Sequence, residues 1–139
     1  MRLLAVISLA VLVLAGGAAA SWHPIGAGAG GAKAKSMPTT APNAPTATAP
    51  LASHSVTVTW ATSTFLPGGN VSTYRVRRYD ALNTATVAGS GCSDPVTGLS
   101  CVEANVPTGT WTYTVQPVAG TWQNANTESA KSATVVIGP

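Results

Sequence analysis

Acidic side chains are scarce in this 139-residue chain: four Asp and Glu stand against seven Lys and Arg, and charged residues make up only 8%. The carboxylates Asp80, Asp94, Glu103 and Glu128 are scattered over different segments. No serine elbow, phosphate-cradling glycine loop or zinc-ligand cluster accompanies them, so the inventory argues against an enzyme. Asp94 and Glu103 can share a surface, but Glu103 sits at an outward strand position, where a carboxylate is solvated decoration. The two histidines, His23 and His54, lie far apart without Cys, Asp or Glu at ligand spacing, which leaves no metal or other cofactor to name. The helix formers Glu, Lys and Gln are few, whereas Thr, Ala, Ser, Val and Gly dominate; this is the composition of short strands and turns. With one Phe, three Tyr and four Trp, a folded part of roughly 95 residues buries a thin two-layer core and nothing larger.

The net charge of +3 loses its meaning once it is located along the chain. Arg2 lies in an amino-terminal targeting segment, and Lys33 and Lys35 in a linker. Arg75, Arg77, Arg78 and Lys131 then balance the four carboxylates. A formally neutral domain lacks the basic face that a nucleic-acid partner requires.

Met1-Arg2, the apolar run Leu3 to Ala15 and the small residues Gly16 to Ala20 have the order of a signal peptide over residues 1–20, with cleavage expected after Ala20. The alternative is an uncleaved anchor, because the uncharged stretch reaches about 18 residues, near the lower limit for crossing a bilayer. The expected location is extracellular or at the cell surface, with membrane contact only if that segment is retained. Residues 21–43, with GAGAGGAKAK and PTTAPNAP, read as a Gly/Ala/Pro-rich linker, and residues 44–139 as the domain.

Within the domain, the stretch Val106 to Val118 organises the rest. A corner at Pro107-Thr108-Gly109 feeds a strand in which Trp111, Tyr113 and Val115 face the core while Thr112, Thr114 and Gln116 face away. Val56, Val58 and Trp60 alternate in the same way over Ser55 to Trp60. Tyr74 and Val76 do so over Val71 to Tyr79, with Arg75 and Arg77 on a solvated face. Shorter strands are expected at Thr46 to Ala49, Thr84 to Ala88, Ser100 to Val106 and Ser132 to Ile137. In the fifth, Val102, Ala104 and Val106 point inward and Cys101, Glu103 and Asn105 outward. Residues 61–70, with Phe65, Leu66 and a Pro-Gly-Gly-Asn turn, and residues 119–131, with Trp122 and Asn124, read as loops. Seven short strands without helical period make an all-β sandwich with Greek-key connections. In an exported chain the two cysteines, Cys92 and Cys101, are expected to be joined, tying the loop before the fifth strand to that strand.

The Val56-Val58-Trp60 strand, Tyr74-x-Val76, and the run Val106-x-x-Gly-Thr-x-x-Tyr113-x-Val115 together resemble a fibronectin type III domain over about Ala44 to Ile137. The resemblance implies an immunoglobulin-like, seven-stranded sandwich. Two features depart from the family: Trp111 falls where the family has its corner tyrosine, and members typically lack a disulfide. With the export signal, the arm and the repeated Gly-Thr-Trp, the chain is similar to small exported, single-domain fibronectin-like proteins of high-GC Gram-positive bacteria. This implies a non-enzymatic secreted or surface module that binds a protein or surface glycan. In the family, the loops holding Phe65, Leu66, Trp122 and Asn124 would share one end and form its binding loops. Two other readings are a structural protein that assembles through its sheet edges and, less favoured, a small extracellular enzyme.

Overall fold

The computed structural model describes residues 34–139; the segment read as a signal peptide at 1–20 and residues 21–33 of the expected linker, with Trp22, His23 and Lys33, lie outside the described residues. The seven expected strands are present: β1 (Thr46–Thr48), β2 (Val56–Thr59), β3 (Thr73–Tyr79), β4 (Ala85–Val87), β6 (Ser100–Glu103), β7 (Gly109–Ala119) and β9 (Val135–Ile137). Two short strands join them, β5 (Val96–Thr97) and β8 (Trp122–Gln123), and the only helical piece among the described residues is a 3-10 turn at Ala125–Thr127.

The strands form two antiparallel sheets. One runs β1-β2-β6; the other runs β4-β3-β7-β8, with β5 also on β3 and β9 also on β7. β4 and β5 share one edge of β3, at Arg77 to Tyr79 and at Thr73 to Tyr74. The alternating β-branched and aromatic residues make this arrangement because each strand offers one apolar face, and two such faces bury each other. Val56, Val58 and Trp60 from the first sheet meet Tyr74, Val76, Tyr113 and Val115 from the second in one buried cluster. The Trp60 and Tyr74 rings pack edge to face at 5.4 Å, and the Tyr74 hydroxyl donates to Val71 O and accepts from Ser63 N.

β6 corrects the sequence expectation. Val56 lies opposite Glu103 and Val58 opposite Cys101 in the β2–β6 ladder. Directly opposed residues share a face, so Cys101 and Glu103 point inward with the valines. Val102 turns out and is 50% exposed, and Ala104 is exposed as well, whereas Glu103 is fully buried. Past the end of β6, Asn105, with φ of 57°, returns Val106 to the core. The cysteine pair held the clue: Cys92–Cys101 is bonded, and an inward Cys101 places the residue two further on inward too.

A buried carboxylate is tolerable only when its oxygens are occupied by donors. Glu103 Oε1 accepts from Arg78 Nη1 and Gly89 N, both at 2.6 Å, and Oε2 accepts from the Tyr113 hydroxyl at 2.8 Å. Burial, followed by the hydrogen bond and charge of Glu103, raises the Tyr113 hydroxyl far above the ordinary tyrosine value. The loop that delivers Gly89 and Cys92 lies against β6, and a Cβ at Gly91 (φ 87°) would stand 1.9 Å from Val102 O. Only glycine fits that approach.

Trp111 packs against the core as expected, but at its margin. It is half-buried at the start of β7, where its Nε1 donates to Pro107 O at 2.8 Å and the Arg78 guanidinium lies 4.5 Å from its ring. An indole thus closes the corner over four residues, without a hydroxyl.

β7 is buried on both faces from Tyr113 to Val118, so Thr114 and Gln116 are covered rather than solvated. On its outer edge β9 pairs with Gly109 to Trp111 and β8 with Val118 and Ala119. Between them the amides of Tyr113 and Val115 donate to the hydroxyls of Ser132 and Ser129. Amides on alternate residues point to the same edge, which puts Pro117 N on this broken side, where no ladder bond is lost.

Truncating Glu103→Ala leaves the Arg78 charge uncompensated and should destabilise the protein by about 3–5 kcal/mol in urea unfolding; a loss near zero would contradict the buried-pair account. Replacing both Cys92 and Cys101 by Ala should cost roughly 2.5–3 kcal/mol, the loop-closure value for a bridge of this span, measured by the same unfolding curve.

Candidate functional site

The two loops expected to share an end of the sandwich are bridged by the arm. Ser36 exchanges backbone hydrogen bonds with Leu66 (2.9 and 3.1 Å), and two residues on, Pro38 O accepts from Asn124 Nδ2 at 3.3 Å. Residues 36–38, expected within the linker, therefore lie on the domain, with Pro38 buried. Proline there costs little ordering entropy, and the paired backbone of Ser36 removes the freedom that composition alone suggested.

The four residues singled out as binding loops have different fates. Phe65 is half-buried and packs on the core as a plug, with Lys35 Nζ 5.5 Å from its ring. Leu66 is 49% exposed. Trp122 is 66% exposed. It stands on β8, which a tight turn at Gly120 (φ 58°) pairs against the end of β7. Asn124 is committed internally: its Oδ1 accepts from Asn126 N, its Nδ2 holds Pro38, and its carbonyl accepts from Gln116 Nε2 and the Thr127 hydroxyl. It positions the end of the molecule rather than offering a free amide.

Beside Leu66 the arm and the loop after Trp60 enclose a groove of about 270 Å³, walled by residues 38–43 on one side and 61–64 on the other. Its lining holds hydroxyls, one amide, prolines and alanines, and no ionisable side chain. Sequence reasoning missed this groove, because it exists only once the arm has folded back.

The carboxylates and arginines are matched to one another elsewhere. Arg75 Nε bonds Asp94 at 2.6 Å and its Nη1 bonds Gln123, which steadies β8 one residue from Trp122. Arg77 pairs with Glu128, and Asp80 Oδ1 accepts the amides of Leu82 and Thr84. The arginine face is thus partly covered and paired, not simply solvated. At Glu128 burial opposes the charge, but hydrogen bonds from Thr114 and Tyr79 and the Arg77 guanidinium outweigh it and hold the carboxyl below its ordinary value. His54 is exposed and its Nδ1 lies 3.0 Å from Val106 O. Among the described residues no group of three or more His, Cys, Asp and Glu could hold a metal ion, and no helix is long and apolar enough to cross a membrane.

No family model matches the chain, and no curated protein matches it.

Glu128 titrates lower in the folded protein than in the unfolded chain, so the unfolded chain binds the extra proton as pH falls. Its stabilisation is present above the ordinary value of 4.5 and is lost as pH drops through the folded value. Glu128→Gln should flatten the loss of stability below about pH 4.5, read from thermal midpoints across an acid series; an unchanged slope would contradict this.

Proposed function

We propose that this chain is an exported, non-catalytic binding module of fibronectin type III-like topology, which engages a protein or glycan at the cell surface through the end of the sandwich bearing Leu66 and Trp122. The observation that carries the reading is the exposed indole of Trp122 on a short strand held by β7 and by the Arg75–Gln123 bond. A large aromatic on a rigid support contributes contact area at little ordering cost, which is the usual character of a residue that dominates an interface. Leu66, on the loop joined to Asn124 through three residues of the arm, extends the apolar surface.

Further features support the finer points. The two packed antiparallel sheets, β1-β2-β6 and β4-β3-β7, support a fibronectin type III-like sandwich. A buried disulfide suits an oxidising compartment, in keeping with the export signal read over residues 1–20. Asp80, Asp94, Glu103 and Glu128 each have a structural partner, which leaves acid–base chemistry without a free carboxylate and favours binding over catalysis.

The labelled protein, applied to arrays of surface proteins and glycans, should give a ligand whose affinity falls at least tenfold on Trp122→Ala, as for a central interface residue. A ligand bound equally well by Trp122→Ala and Leu66→Ala would overturn the placement of the site. Turnover of an arrayed compound, or assembly of the free protein into polymers, would favour the enzymatic or the edge-assembly reading instead.

A further inference from the structure

We infer that the groove between the arm and the loop after Trp60 is a subsite for an uncharged saccharide. The inference rests on the reading of this chain as a binding module and names the class of ligand for its loop-bearing end.

Charge decides the first step. No Asp, Glu, Lys, Arg or His lines the groove, although Lys35 lies just beyond its wall, over Phe65. A charged ligand placed there would lose hydration without a counter-charge to replace it, so the groove selects for neutrality. Hydrogen-bonding capacity decides the second. Thr39, Thr40, Asn43, Thr62 and Thr64 contribute hydroxyl- and amide-bearing side chains to the two walls. Each hydroxyl both donates and accepts, which matches a ligand whose own groups are hydroxyls. Ser63 is 7% exposed, its backbone N and O are already bonded to the Tyr74 hydroxyl and Val71 N, and its Oγ has no partner within the chain. That hydroxyl is shut off from solvent, so it backs the wall, and the ligand-facing capacity rests on the threonines and Asn43.

Shape decides the third. Pro38, Pro42 and Leu66 interleave apolar surface with the hydroxyls. A sugar ring has the same mixed character, with polar groups at its rim and C–H groups on its faces. The volume, about 270 Å³, lies just under the ~300 Å³ at which pockets for drug-sized ligands begin. It therefore takes a ring or two of a chain that continues outside. A peptide fits less well: residues 38–43 form no strand for an added strand to pair with, and the lining holds no aromatic side chain of the kind that grips a proline-rich peptide.

The test is an amide-resolved NMR titration of the purified protein with maltotriose, mannotriose, an arabinose trimer and chitotriose. Trigalacturonate and a proline-rich peptide serve as charged and peptidic competitors. The expected result is that at least one neutral trisaccharide shifts the amides of Thr39, Thr40, Thr62 and Thr64. Affinity should then fall at least tenfold in Ala61→Trp, which fills the groove from an exposed position, and in Thr62→Val, with the rest of each spectrum unchanged. If none of the neutral sugars shifts these amides, or if only trigalacturonate or the peptide does, the inference is wrong. The two proposals fail separately. Array binding that depends on Trp122 without any groove response removes the saccharide subsite alone, whereas a groove response indifferent to Trp122→Ala removes Trp122 from the site and leaves the subsite standing.

Discussion

A negative charge sealed away from water holds the two layers of this sandwich in register. Glu103 belongs to the three-stranded sheet, yet its oxygens are taken by Arg78 on β3, Tyr113 on β7 and the amide of Gly89. A slip of β6 by one residue would turn the carboxylate outward and drive Val102 into a space shaped for charge. The constraint then spreads. Arg78, held by Glu103, supports the Trp111 ring, and Trp111 in turn closes the corner at Pro107. Because Gly89 and Cys92 lie on one short loop, the same anchor sets the loop that the disulfide fastens to β6.

The far side of the molecule is organised by a different shortage, that of backbone partners. Among the described residues β7 is the longest strand at 11 residues, and its outer edge has regular neighbours only at its two ends. Ser129 and Ser132 fill the gap with side-chain oxygens and place Pro117 where its missing donor does no harm. This irregular segment also contains Glu128, which gathers Arg77, Tyr79 and Thr114 over the outer face. It allows β8 to turn back and hold Trp122 in solvent. The loop-bearing end thus rests on hydrogen bonds at defined positions, which suits a site that must keep its shape without a large core beneath it.

Much of the scaffold was legible from the chain. Period-two alternation placed the strands containing Val56, Val58, Trp60, Tyr74, Val76, Tyr113 and Val115, and all seven are buried. The failures occur where a polar residue goes inside. Glu103 was read as outward because alternation counts apolar residues, and a carboxylate satisfied by three donors from distant segments cannot be recognised locally. Thr114 and Gln116 were assigned to solvent for the same reason, since their cover comes from residues 124 and 128. Residues 36–38 depart in the opposite sense: composition placed them in a linker, but Ser36 finds its backbone partners in Leu66.

Composition and spacing therefore settled the class of structure, because side-chain periodicity, turn residues and a pair of cysteines act over a few positions and leave their mark in the order of residues. Tertiary contact decided which faces are wet, where the charges rest, and that an arm, a loop and a strand of two residues meet at one end. Several of those outcomes depend on partners brought together from 25 to 86 positions away, as Arg78 and Glu103 and then Pro38 and Asn124 are. At such separations it is the closing of the sandwich, not local propensity, that selects the neighbour.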